Sequence, residues 1–134
     1  MLGFVAALVV TGDDLVLRLT TAEHIEGFHR DIVVPMSSVA SVWVSEDMWS
    51  DLRGLRAPGT GLPGIVAVGT RRGSFGKDFT VIHGKGRGVI VDLEDQEFSR
   101  LMVTVAQPEE VLAQLTSHPA LRHRDLPPSH REPT

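Results

Sequence analysis

The sequence predicts a mainly β domain of antiparallel strands, closed at one end by a single C-terminal α-helix. Three observations predict it. Apolar and polar residues alternate in several short stretches, glycine and proline turn signals separate those stretches, and a helical period is convincing only near the C-terminus.

The run from Met1 to Val10 is the most apolar in the chain. Gly12-Asp13-Asp14 supplies a turn, after which Leu15, Leu17 and Leu19 alternate with Val16, Arg18 and Thr20. A hairpin with one apolar strand face follows from that spacing. Ile32-Val33-Val34 is a short apolar run, and Val39 to Glu46 sets Val42 and Val44 on one face against Ser41, Trp43 and Ser45 on the other. Ile65 to Thr70, Phe79 to His83, Val89 to Leu93 and Leu101 to Val105 bring the total to about eight strands, enough for an antiparallel barrel or sandwich. If residues 64–70 and 79–83 pair, residues 71–78 form the hairpin tip and expose Arg71, Arg72 and Lys77 together. Asp47 to Leu52 reads as a short helical turn with Trp49 and Leu52 pointing inward. Both tryptophans read as filling the core.

Helix signals converge at Pro108-Glu109-Glu110. Proline suits a first helical turn, two acids complement the positive helix end, and Val111, Leu112 and Leu115 form one apolar stripe that ends near His118-Pro119. Residues 119–134 hold four of the eight prolines and no sizeable apolar cluster, and they read as a flexible tail after a domain of residues 1–118.

A chain of 134 residues holds one domain of this kind. The absence of cysteine excludes thiol catalysis, iron–sulfur clusters and thiolate zinc sites. The N-terminal apolar run is about ten residues where a membrane span needs about 20, and no basic region precedes it. No membrane span is expected, and a cytoplasmic location follows from reading no targeting segment.

The net charge of −4 conceals segregation along the chain. Residues 13–51 carry −6, residues 53–87 carry +6, and residues 88–116 carry −5. The cationic stretch holds Arg53, Arg56, Arg71, Arg72, Lys77, Lys85 and Arg87 against Asp78 alone, and ten of the 13 glycines fall between Gly54 and Gly88. Glycine lets a backbone approach an anion closely, and arginine offers two parallel donors to a carboxylate or phosphate. These seven cations are the candidate binding residues, for an acidic protein surface or a small anionic ligand. The complementary signs of neighbouring segments also permit a homodimer.

The stretch from Glu97 to Val105, followed by Pro108 to Leu115, resembles the last strand and closing helix of bacterial pleckstrin-homology-like domains. The earlier hairpin, further strands and Gly-rich middle extend the resemblance over residues 1–118. It implies two nearly orthogonal sheets, a helix over one open end of the barrel, and a binding or assembly role without catalysis. It does not imply phosphoinositide binding by the usual route, because the first hairpin loop is Thr11-Gly12-Asp13-Asp14, and two acids repel a phosphorylated headgroup.

Other chemistries are carried less well. Nucleic acid is disfavoured by a pI near 5.8 and by only Phe75 and Phe79 as stacking aromatics in the basic stretch. The alternative reading, a metal protein or small enzyme, draws on Glu23, His24, Glu26, His29 and Asp31, whose imidazoles and carboxylates suit zinc or a harder cation. Gly73-Ser74-Phe75-Gly76 lacks the nucleophile elbow of acyl transfer, and Asp92 with Glu94 reads as an outward strand face. No catalytic residue, metal ligand or cofactor is assigned.

Overall fold

The structure, a computed structural model, describes residues 6–20, 30–62, 65–84 and 87–122. Among the described residues nine strands form two sheets. The first sheet is a meander of β1 (Ala7–Thr11), β2 (Asp14–Arg18) and β3 (Ile32–Pro35). A single 3-10 turn, Met36–Ser38, leads into the second sheet, built from β4 (Val39–Ser45), β5 (Leu55–Leu62), β6 (Val66–Gly73), β7 (Gly76–His83), β8 (Gly88–Leu93) and β9 (Arg100–Thr104). Its six strands run in the order β4-β8-β9-β7-β6-β5. Helix α1 (Pro108–Thr116) and a short α2 (Pro119–Arg122) follow. The mainly β class with a C-terminal helix is thus the architecture of the chain.

Alternation places the core. Leu8, Leu15, Leu17, Ile32 and Val34 of the first sheet meet Val42, Val68, Phe79, Val81, Val89, Val91, Leu101 and Val103 of the second, and all are buried. Helix α1 packs on β1, β4 and β8, and drives Leu115 into this core with no exposure while Val111 and Leu112 lie half-buried against it. The opposite face of the large sheet carries a second, smaller cluster: Met48, Ala67, Ile82, Ile90 and Met102, with Trp43, Trp49 and Leu52 packed onto it. The β4–β5 connection provides its cover. Asp51 N–H donates to Met48 O and Leu52 N–H to Trp49 O, so residues 48–52 do turn, and Trp49 Nε1 donates to Gly84 O at 2.9 Å. Trp43 is half-buried on this outer face rather than in the central core.

The structure corrects the sequence expectations at four places. First, the sheet is not wholly antiparallel: β7 pairs with β9 in parallel, from Asp78↔Arg100 to Val81↔Val103. Strand β8 returns antiparallel to β7 but not beside it. The β8–β9 hairpin inserts β9 between them, and a strand that reverses β8 must run with β7. Second, β5 is a strand where the sequence shows turn signals. It lies at the sheet edge, where a proline deprives no inner ladder of a hydrogen bond. Ala57 and Pro58 stand together opposite Thr70, a bulge between the paired stretches. Third, β6 and β7 extend to Gly73↔Gly76, so only Ser74 and Phe75 form the loop, and Arg71, Arg72 and Lys77 sit in strands. Fourth, α2 occupies the start of the expected tail. Leu121 is buried in the main core, and His118 Nδ1 accepts from Ala120 N–H while Nε2 lies 2.9 Å from Gly12 O. Residues 123–134 lie outside the described residues. No helix among the described residues is long and apolar enough to cross a membrane.

Truncating the plug should separate packing from helix propensity. Leu115→Ala is expected to lower stability by about 2–5 kcal/mol in urea unfolding. Gln114→Ala, on the exposed side of the same helix, should stay within about 0.5 kcal/mol of wild type.

Candidate functional site: a charged row across the sheet

Register brings distant charges into one line. Ser41 on β4 opposes Asp92 on β8, Asp92 opposes Arg100 on β9, Arg100 opposes Asp78 on β7, Asp78 opposes Arg71 on β6, and Arg71 opposes Arg56 on β5. Directly opposed residues share a sheet face. A single row of side chains therefore crosses β4, β8, β9, β7 and β6 on the outer face, in the order polar, negative, positive, negative, positive.

Asp78 is its centre. The carboxylate is fully buried and accepts both arms of Arg53, from Nε at 2.7 Å and from Nη2 at 3.0 Å. Burial of a carboxylate demands such a partner, because the isolated charge costs several kcal/mol. The hydrogen bonds to Asp78 in turn hold the Arg53 guanidinium protonated, its pKa raised above the ordinary arginine value. Arg53 also stacks 4.0 Å from the Phe75 ring centroid, a cation–π contact. Arg71 locks the approach: its Nε donates to Arg53 O and its Nη2 to Gly54 O, both at 3.0 Å. Further along, Arg100 Nε donates to Asp92 Oδ1 at 2.6 Å, Ser41 Oγ donates to Asp92 Oδ2 at 3.0 Å, and the Arg100 guanidinium lies 4.9 Å from the Trp43 ring.

Two glycines of the crowded segment are explained here. A Cβ on Gly54 would stand 2.6 Å from Phe75 Cζ and from Arg72 O, and the residue has φ +80. A Cβ on Gly73 would overlap the same ring. The ring of Phe75 thus lies flat against backbone that only glycine leaves open, between the hairpin and the Arg53 guanidinium. At these positions glycine serves packing.

Two more cations of the nominated set are also engaged. Lys77 Nζ donates to Glu97 at 3.1 Å and lies 5.5 Å from the Phe98 ring centroid. Arg87 donates to both oxygens of Glu46, at 2.9 and 3.1 Å, and to Glu109. Those bonds raise the Arg87 pKa, Glu109 first, and hold the Glu109 carboxyl below the ordinary glutamate range. Acids of both flanking segments therefore fold onto the cationic one, and part of the complementarity that permitted a homodimer is satisfied within one chain. Arg72 differs: it is exposed, and among the described residues its side chain has no hydrogen-bond or ion-pair partner. Opposite it on β5 stands Leu55, 79% exposed. Arg56 occupies its register position on β5, and Lys85 lies outside the described residues.

Sequence reasoning nominated Arg53, Arg71 and Lys77 without their partners, read Asp92 only as part of an outward strand face, and missed Arg100 and Leu55. Alternation in β8 and β9 marks Asp92 and Arg100 as outward residues, but their alignment with Asp78 depends on the parallel pairing. Of the suggested metal cluster, Glu23, His24, Glu26 and His29 lie outside the described residues, while Asp31 Oδ1 accepts Leu19 N–H at 2.8 Å. Among the described residues no group of three or more metal-ligating side chains converges. Comparison of the chain with protein-family models, curated proteins and solved structures returned no match. Nothing in these comparisons identifies a pleckstrin-homology-like domain, and function has to be read from the side chains.

Removing Arg53 should strand the Asp78 carboxylate. Arg53→Ala is expected to cost about 3 kcal/mol in urea unfolding, and adding Asp78→Asn should recover part of it by removing the unpaired charge. Glu109 should report through pH. Its folded pKa lies below its unfolded value, so its contribution is present above about pH 5 and is lost as pH falls through the folded pKa. Thermal melts between pH 6 and pH 3 should fall less steeply for Glu109→Gln than for wild type.

Proposed function

We propose that the chain is a non-catalytic binding module that recognises an acidic segment of a partner protein at the β5–β6 end of the large sheet. The observation that carries this reading is the pairing of Leu55 with Arg72 in one register position: a largely exposed leucine beside an exposed arginine that no side chain of the described residues neutralises. Interfaces draw energy from apolar contact flanked by arginine, and arginine is enriched in such patches. Most of the other nominated cations have internal duties. Arg53, Lys77 and Arg87 hold carboxylates and Arg71 holds carbonyl oxygens, so a partner meeting them competes with bonds the fold already makes. Arg72 carries no such competition, and an acid–apolar pair on the partner satisfies both residues at once.

The reading supports an acidic protein segment over a small anion, because Leu55 adds nothing to the recognition of phosphate. Titration of the full chain with a synthetic peptide rich in glutamate and leucine, and separately with inorganic phosphate, tests it by backbone amide shifts. The peptide is expected to move Leu55, Arg72 and Gly73, more weakly at 300 mM than at 50 mM salt. Arg72→Glu should weaken it at least tenfold, about 1.4 kcal/mol. Equal binding by Arg72→Glu, or shifts confined to other surfaces, would overturn the reading.

A further inference from the structure

The outer face of the small sheet carries a pattern that the core does not use. In β1, β2 and β3, alternation sends Leu8, Leu15, Leu17, Ile32 and Val34 inward. Val9, Val16 and Val33 take the opposite side, and register sets them in one row across the three strands. Outward positions of an antiparallel sheet are ordinarily polar. Here Val33 is 57% exposed, and Val9 and Val16 each keep part of their surface in solvent. The charges beside this row are placed symmetrically. On the central strand β2, Asp14 and Arg18 stand two residues before and two after Val16, on the same face, and both are exposed. Among the described residues neither side chain has a hydrogen-bond or ion-pair partner.

We propose that this face joins two copies of the chain in a weak symmetric dimer, valine row on valine row, with Asp14 of each copy against Arg18 of the other. A two-fold axis lying between the sheets, perpendicular to β2 and level with Val16, reverses the strand direction and exchanges the two charged positions. Each acid then meets a base. An axis parallel to the strands would stack acid on acid and base on base, so charge selects the antiparallel arrangement. Stacked sheets lie about 10 Å apart, a gap that a short aspartate and a long arginine span together. Valines of facing sheets interdigitate at that distance. A two-fold contact requires a patch complementary to itself, and an acid and a base at equal distances from an apolar centre meet that requirement. A partner of one charge sign would leave either Asp14 or Arg18 unmatched. Three strands of four or five residues make a patch roughly 15 Å on a side. That is well below the about 800 Å² per partner of a standard interface, so the dimer is transient and populated only at high protein concentration. Exposed ion pairs add little affinity, and in this contact they fix the orientation. The complementarity lies within one strand and involves no residue of the β5–β6 end.

Sedimentation equilibrium of the full chain from about 10 µM to about 1 mM tests this, with backbone amide shifts followed over the same range. The chain is expected to pass from monomer toward dimer at the upper end, to shift the amides of Val9, Val16 and Val33, and to associate less as salt rises from about 50 to about 300 mM. Val33→Lys changes an exposed residue and leaves the core intact, and it should weaken association at least about tenfold, as should Asp14→Lys or Arg18→Glu alone. Asp14→Lys and Arg18→Glu combined in one chain restore opposite charges at both crossed positions. This double variant is expected to associate within about threefold of wild type. A monomer throughout the range would give the face to another occupant and overturn the proposal. A dimer indifferent to Val33→Lys, concentration-dependent shifts on other surfaces, or a double variant that associates no better than the single ones would overturn it equally.

Discussion

A carboxylate buried without access to water organises the outer face of this protein. Asp78 lies in the middle of the large sheet on the side away from the main core, and a charge so placed has to be met by a cation with two well-aligned donors. Arg53 meets it, and reaching it brings the β4–β5 connection across the sheet. That connection carries Met48, Trp49 and Leu52 over Ala67, Ile82, Ile90 and Met102, so the position of one ion pair coincides with the cover of a second apolar cluster. The guanidinium then becomes the floor on which the Phe75 ring rests. Charge pairing, apolar cover and the shape of the β6–β7 hairpin are thus parts of one arrangement.

Seen from this arrangement, the crowding of glycine and arginine between residues 53 and 88 has a largely internal meaning. Gly54 and Gly73 make room for an aromatic ring, and Gly88 makes room for the Met48 side chain and the Val103 carbonyl. Three of the cations sit on carboxylates and a fourth on backbone oxygens. Among the described side chains, what the fold leaves outward from this segment is small and local: Arg72 beside Leu55. Of the described cations in a segment that looks uniformly cationic along the chain, Arg72 is thus the one left unneutralised by a described side chain, and the proposed binding role follows from that remainder.

The amino-acid pattern made much of the fold legible where the signal is local. The β1–β2 hairpin follows from Gly12-Asp13 between alternating leucines, and β4 from Val42 and Val44 against Trp43 and Ser45. Helix α1 follows from Pro108, two acids and an apolar stripe, and its residues do what that pattern requires. Strand β5 was hidden because Pro58 and its glycines carry turn signals in isolation, and an edge position tolerates them. Local helix signals did not disclose α2 either, since four residues beginning with a proline hold their place through Leu121 and His118 rather than through helix propensity. The site was legible only as composition: Arg53 and Asp78 are 25 residues apart, and nothing in either neighbourhood names the other.

Sequence alone thus determined the class of the protein, the faces of its strands, the start of its closing helix and the amount of charge in each segment. These depend on periods of two or about 3.6 residues and on caps, which act over a single turn or strand. Tertiary structure decided which charges meet. The insertion of β9 between β7 and β8 set Arg100 beside Asp78, and the passage of residues 46–54 over the sheet set Arg53 upon it. Pairings of this kind are fixed by strand order and by the need of a buried charge for a partner, and neither is encoded in the residues immediately around it.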